Sequence, residues 1–64
     1  MIVNCSTSRA TATTTLVEKL QKMGVTPHIS VDTISVFYNG PDLELGGAIV
    51  ELFAHEANHR IKTG

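Results

Sequence analysis

Residues 26–38 read Thr26-Pro-His-Ile-Ser-Val-Asp-Thr-Ile-Ser-Val-Phe-Tyr38 and alternate apolar with polar side chains. An alternation with a period of two predicts β-strands, because successive side chains point to opposite faces of a sheet. The phase of the alternation changes between Val31 and Ile34, which predicts a tight turn at Asp32-Thr33 and hence a β-hairpin. Its core side would carry Ile29, Val31, Ile34, Val36 and Tyr38.

The other side of this hairpin carries the candidate partner-binding residues. Phe37 points outward there, and an exposed aromatic side chain on a strand can anchor a bound protein. The free edge of the hairpin could also accept a strand from a partner. We therefore predict a partner-binding surface that comprises His28, Ser30, Asp32, Ser35 and Phe37.

A helix is predicted before the hairpin. Leu16, Leu20 and Met23 recur at helical spacing, and Gly24 follows them. Glycine readily adopts the left-handed conformation that ends a helix, and Val25 just after it can contact Leu20, as in a Schellman motif.

Asn39-Gly-Pro-Asp42 is predicted to be a turn that can lead straight into a second helix, with Asp42 and Glu44 near its positive end. The firm part of this helix is predicted from Ala48 to about Ile61. Gly46-Gly47 disfavours an earlier start, since each glycine costs a helix interior about 1 kcal/mol relative to alanine. The residues of its broad apolar face are Leu45, Ile49, Leu52, Phe53, Ala57 and Ile61.

These elements predict an α+β fold: a small two-layer domain with the order helix, β-hairpin, helix (αββα). The Ser/Thr-rich residues 1–13 suit an N-terminal extension, although Met1-Ile-Val could form a short strand in front. We expect one domain over residues 1–64, with its αββα core at residues 14–62.

The length and charge of the chain limit the classes of partner that it can bind. A chain of 64 residues buries a small core and its single cysteine permits no internal disulfide, so we expect a homodimer. The net charge is −1 and the basic residues are scattered among acids, which disfavours nucleic acid as a partner. The apolar runs are too short to span or target a membrane, which predicts a cytoplasmic protein.

One metal-binding pattern is present, His55-Glu-Ala-Asn-His59. On a helix this H-E-x-x-H spacing puts two imidazoles on one face, where zinc could bind both while Glu56 activates water. A catalytic zinc needs a third protein ligand, and the five residues after His59 contain no His, Cys, Asp or Glu. We predict no catalytic centre and no cofactor, and retain His55 and His59 as a candidate two-histidine metal site.

Residues 2–25 resemble the phosphocysteine loop of sugar phosphotransferase IIB domains. The residues that carry the resemblance are Ile2-Val-Asn-Cys5 and Ala10-Thr-Ala-Thr13. It implies a nucleophilic Cys5 after a first strand and a phosphate-binding loop before a helix. The loop lacks the glycine that is common in that family, and Cys5 could equally be a small buried residue.

A broader resemblance covers residues 14–61. It rests on Leu16-Val-Glu-Lys-Leu20, Gly24-Val25, Ile34-x-Val36, Pro41 with Leu43, and Leu52-Phe-Ala-His-Glu-Ala57 with Ile61. The chain is similar there to N-terminal docking domains of the tubulysin-synthetase type, found on subunits of hybrid nonribosomal peptide and polyketide synthases. The resemblance implies a dimer whose exposed hairpin captures a short C-terminal segment of the upstream subunit.

The sequence therefore predicts a non-catalytic protein–protein interaction module, most specifically a docking domain that recruits a partner subunit of a biosynthetic assembly line. The alternative in the same class is a small stand-alone regulator or inhibitor, of the kind that phages encode, which binds a host protein. Phosphotransfer by Cys5 and zinc binding by His55 and His59 are the enzyme-like alternatives.

Overall fold

The computed structural model describes residues 1–8 and 14–64. Within these residues the elements follow the order βαββαβ. They are β1 (Ile2–Ser8), α1 (Thr14–Lys22), β2 (His28–Ile29), β3 (Thr33–Asn39), α2 (Leu43–Ala54) and β4 (Arg60–Thr63). None of the helices in this described part is long and apolar enough to cross a bilayer.

The four described strands form one sheet in the order β2-β3-β1-β4, and each strand is antiparallel to its neighbours. β3 therefore separates β1 from β2, and β1 separates β3 from β4. Two such interleaved split βαβ units make the ferredoxin-like arrangement. The predicted α+β class is confirmed, with one strand added on each side of the predicted αββα order.

β1 is a central strand of the sheet. Along it Val3, Cys5 and Thr7 are buried, whereas Ile2 and Asn4 are exposed. The prediction that residues 1–13 form an extension outside the core is therefore wrong for residues 2–8, where a strand of seven residues replaces the short one considered. Residues 9–13 of that extension lie outside the described residues.

The core lies between the sheet and the two helices, which pack on the same face. α1 contributes Leu16 and Leu20, and α2 contributes Ile49 and Phe53. Both helices connect parallel strands, and crossovers of one hand place their helices on one side of the sheet. The sheet therefore has one covered face and one face without helices.

α1 ends as its sequence predicts. Gly24 has a φ of +80°, its N–H donates to the carbonyl of Gln21 at 3.0 Å, and the N–H of Val25 donates to the carbonyl of Leu20 at 3.0 Å. This pair of hydrogen bonds is the Schellman motif. Val25 packs against the core cluster that contains Leu20, so the predicted apolar contact accompanies it.

The hairpin forms, but its turn lies one residue earlier than predicted. Ile29 pairs with Ile34, and the N–H of Ser30 donates to the carbonyl of Thr33 at 2.8 Å, which leaves Val31 and Asp32 as the two turn residues. Val31 is consequently 92% exposed and Ile29, on a short edge strand, is 48% exposed. Both were wrongly predicted to be core. Ile34 and Val36 are buried and Tyr38 is half-buried, as predicted.

α2 begins five residues earlier than predicted. Asp42 caps it, because its carboxylate accepts a hydrogen bond from the N–H of Leu45 at 3.0 Å. Gly46 lies inside the helix and is buried where the helix crosses β1; a Cβ there would stand 2.5 Å from Met1 Sδ and 3.4 Å from Val3 Cγ2. Close packing on β1 thus outweighs the low helix propensity of glycine.

α2 also ends seven residues earlier than predicted, at Ala54. Residues 55–59 form a turn in which Asn58 has a φ of +58°, and the chain then enters β4. Ile61 reaches the core from this strand and not from a helix, while Ala57 is exposed in the turn. The prediction of one continuous helix to Ile61 is wrong.

Candidate binding face

The face of the sheet opposite the helices, here called the open face, is the largest surface that the strands present. Strand alternation assigns to it the residues that are out of phase with the buried ones. They are Ile2, Asn4, Ser6, Ser8, His28, Thr33, Ser35, Phe37, Asn39, Arg60 and Lys62. All are exposed or half-buried, and no described element covers them.

The strand register arranges these side chains in rows across the sheet. In one row Phe37 lies opposite Asn4, which lies opposite Lys62. In the next row His28, Ser35, Ser6 and Arg60 follow one another from edge to edge. Each row ends on a cation of β4.

The structure brings three of the five predicted partner-binding residues to this face, His28, Ser35 and Phe37, and Ser30 lies next to it after the end of β2. His28 and Ser35 are cross-strand neighbours, Ser30 is two residues from His28, and Phe37 is two residues from Ser35. Phe37 is 66% exposed and lies on β3, an inner strand. Asp32 instead lies in the turn, where its carboxylate accepts a 3.0 Å hydrogen bond from the Thr33 hydroxyl.

The sequence missed the other half of the face. Asn4 and Ser6 come from β1, and Arg60 and Lys62 from β4, both of which had other assignments. The alternation of polar and apolar residues that indicates a strand was present in both segments. Polar residues alternate with Val3 and Cys5 near the start of the chain and with Ile61 near its end. The alternation was obscured because the third buried residue of β1 is Thr7, a polar residue.

The open face is positively charged. Neither Arg60 nor Lys62 makes an ion pair with a described residue, and no strand residue on this face is acidic. The acidic residues lie on the helices and in the turns: Glu18, Asp32, Asp42, Glu44, Glu51 and Glu56. The small net charge of the chain therefore conceals a separation of charge between the two sides of the domain.

A cavity of about 380 Å³ opens at one end of the open face. Ser6, Ser8 and Arg60 line it from the sheet, and Asp32 and Asn58 line it from the two adjacent turns. The face is thus concave at the end where β1 meets the hairpin turn. Asp32 is the one acidic residue that borders this end.

The H-E-x-x-H residues do not share a helix, which was the predicted basis for a zinc site. His55 follows the last helical residue, and the Nδ1 of His59 lies 2.6 Å from the carbonyl oxygen of Glu56. Among residues 1–8 and 14–64 no three His, Cys, Asp or Glu side chains cluster as a metal site. Within the same described residues the buried Oε1 atom of Glu56 has no hydrogen-bond partner, and Glu56 lines a cavity of about 140 Å³ beside α1.

Cys5 does not occupy the position of a phosphate-accepting nucleophile. It lies three residues before the end of β1, its side chain is 0% exposed, and it contacts the apolar core. Burial raises the pKa of its thiol above the ordinary value of 9.0, which favours the unreactive neutral form. The other part of that resemblance, residues 10–13, lies outside the described residues.

The helical side has a groove of its own, of about 510 Å³, between α1 and α2. Met23, Ala48 and Leu52 supply its apolar surface, and Lys19 and Glu51 are among its charged residues. Its mixed charge distinguishes it from the open face.

No family model, no curated protein and no solved structure matches this chain.

Proposed function

We propose that the chain is a non-catalytic protein–protein interaction module that binds its partner on the open face. The observation that carries the proposal is the position of Phe37, which is 66% exposed on an inner strand among small polar neighbours. Aromatic side chains at the centre of a surface contribute most to binding when a partner excludes water from them. A polar rim is already present in His28 and Ser35.

The sheet also offers backbone groups at its edges. β2 is an edge strand of only two residues, which limits strand addition to the hairpin. At the other edge, Ile2 and Gly64 exchange both backbone hydrogen bonds, so the backbone groups of Ile61 and Thr63 point away from β1. A partner could therefore pair with β4 as well as contact the open face.

The narrower form of the proposal is a docking domain that recruits a subunit of a biosynthetic assembly line. Three features support it: α1, its Gly24 stop, and the hairpin with Phe37 outward. The match at residues 52–61 supports it less, because this segment includes a turn and β4. The homodimer expected from the small size of the chain stays a prediction.

A site-specific cross-linking experiment tests the proposal. A photoreactive phenylalanine analogue placed at position 37 should cross-link a partner from the source organism. The matched control is the same analogue at Leu43, which is 69% exposed at the start of α2 and is not on the open face. Cross-linking from position 37 alone supports the proposal, and equal cross-linking from both positions contradicts it.

The identity of the captured protein then separates the two predicted roles. A synthase subunit attached through its C-terminal segment supports docking. A single unrelated enzyme or regulator, captured from position 37 and displaced by excess wild-type chain but not by excess Phe37→Ala, supports the stand-alone regulator. Recovery of a second copy of the chain shows instead that the open face is a dimer interface.

A further inference from the structure

On the open face, the small side chains along β1 lie between larger side chains on β3 and β4, and this arrangement is here called the trough. Its floor is made by the small polar side chains of Asn4 and Ser6. The Phe37 ring stands on β3 on one side of it, and the long side chains of Arg60 and Lys62 stand on β4 on the other. Neighbouring strands are about 4.8 Å apart, so the two sides are separated by about 10 Å at the backbone.

The two cations are spaced for an extended ligand. Arg60 and Lys62 alternate on β4 with the inward Ile61, which puts their Cα atoms about 7 Å apart on the same side of the sheet. Alternate residues of an extended peptide have the same spacing. A peptide that lies along the trough can thus direct residues i and i+2 to β4 and residue i+1 to β3.

We infer that the trough binds an extended acidic–apolar–acidic peptide segment of a partner protein. The two carboxylates pair with Arg60 and Lys62, the apolar side chain between them packs on Phe37, and Asn4 and Ser6 hydrogen-bond to the peptide backbone. This inference rests on the proposed function, since it names the chemistry of the partner segment that the open face recognises.

Charge favours this ligand over a second copy of the chain. Two open faces would bring two sets of cations, none paired with a described acidic residue, into one interface.

Charge also favours a peptide over single-stranded nucleic acid. Nucleic-acid grooves follow a continuous backbone with several cations, whereas the described residues of this face include two lysine or arginine residues, both at one end of its rows. The two cations match the two carboxylates of a short motif.

The test is an NMR titration of the whole chain with the blocked pentapeptide acetyl-Gly-Asp-Leu-Asp-Gly-amide. The matched probe is acetyl-Gly-Leu-Asp-Asp-Gly-amide, which has the same composition and charge but directs its adjacent carboxylates to opposite sides. We expect the first peptide to shift the amide resonances of β1, β3 and β4 and to bind at least about five-fold more tightly.

Charge reversal at the trough should weaken this binding about ten-fold in the double variant Arg60→Glu/Lys62→Glu. The control variant Lys19→Glu/Lys22→Glu makes the same change in charge on α1 and should alter the affinity less than two-fold. All four side chains are exposed, and the dispersion of the amide spectrum verifies that each variant is folded.

Equal affinity for the two peptides, or equal weakening by the two double variants, overturns the inference. The inference is also overturned if an eight-nucleotide oligothymidylate binds more tightly than the pentapeptide and depends in the same way on Arg60 and Lys62. A third contradicting outcome is a dimer, detected by sedimentation, that the Phe37→Ala substitution dissociates. Cross-linking from position 37 that is unchanged by Arg60→Glu/Lys62→Glu would support the proposed function and contradict only the acidic motif.

Discussion

The hydroxyl of Thr7 donates a 2.9 Å hydrogen bond to the carbonyl of Ala57, which lies fifty residues later in the sequence. Thr7 is 2% exposed, so this bond satisfies a polar group within the core. It also attaches the turn at residues 55–59 to β1, directly before the chain enters β4. The contact therefore links β1, of which the sequence suggested only a short strand at Met1-Ile-Val, with β4, which the sequence did not predict.

Removal of that hydroxyl should destabilise the domain. Thr7→Val keeps the shape of the side chain but removes the hydroxyl donor to the Ala57 carbonyl, and we expect a loss of about 1–2 kcal/mol in the free energy of unfolding. Thr7→Ser, which retains the donor, should recover most of the hydrogen-bond contribution. Urea denaturation followed by circular dichroism measures both, and equal stability of wild type and Thr7→Val would show that water replaces the bond.

The same contact explains why the sequence did not predict a strand over most of β1. A strand with one buried face normally presents apolar residues at every second position, but here the third of them is a threonine whose polarity is satisfied by a distant carbonyl. Local pattern cannot reveal a partner fifty residues away. The Ser/Thr-rich composition of the segment consequently favoured a loop.

The sequence missed β4 for a different reason. Ile61 follows Ala57 at the spacing of one helical turn, so it extended the apolar face of α2 by coincidence. What makes residues 60–63 a strand is the edge of β1, to which they pair in register from Val3 to Ser6. Features set by nearby residues, such as the Gly24 stop and the outward position of Phe37, were predicted correctly.

The two adjacent glycines of α2 should respond differently to alanine. A Cβ added at Gly47 would meet no atom within 4 Å, so Gly47→Ala should stabilise the helix by about 0.5–1 kcal/mol. Gly46→Ala brings its Cβ to 2.5 Å from Met1 Sδ, and displacement of that side chain should cancel the gain. Thermal unfolding of the two variants tests the difference, and an equal rise in Tm for both would argue against close packing at Gly46.

Adjacent residues of β3 should separate stability from binding. Val36 is 2% exposed and Phe37 is 66% exposed, so they belong to opposite faces. We expect Val36→Ala to reduce the free energy of unfolding by about 2–3 kcal/mol and Phe37→Ala to change it by at most about 1 kcal/mol. Chemical denaturation measures both. A large loss from Phe37→Ala would mean that its ring is part of the core and not a binding surface.

Zinc should not stabilise the domain. α2 ends at Ala54, and the ring nitrogen Nδ1 of His59 is already close to the Glu56 carbonyl, so the two imidazoles lack the helical register of a shared ligand site. One equivalent of zinc should therefore leave the Tm of the wild type unchanged, and likewise the Tm of the double variant His55→Ala/His59→Ala. A rise in the wild type that the double variant loses would restore the two-histidine site.

Burial raises the pKa of the Cys5 thiol above its ordinary value of 9.0. A raised pKa in the folded state means that the folded chain holds this proton more firmly than the unfolded chain. The contribution of this thiol to the free energy of unfolding is thus fully present below pH 9.0, and it is lost as the pH rises through the folded-state pKa. Cys5→Ala removes this contribution, and we expect its stability to fall less steeply than that of the wild type above this pH.

Urea denaturation of both chains at pH 7 and at about pH 10 isolates the thiol, because the two chains differ at position 5 alone. Iodoacetamide provides an independent measurement, since it reacts with the thiolate. At pH 7 the folded protein should react far more slowly than the protein in urea. Rapid alkylation of the folded chain would instead identify Cys5 as an accessible nucleophile and return phosphotransfer to consideration.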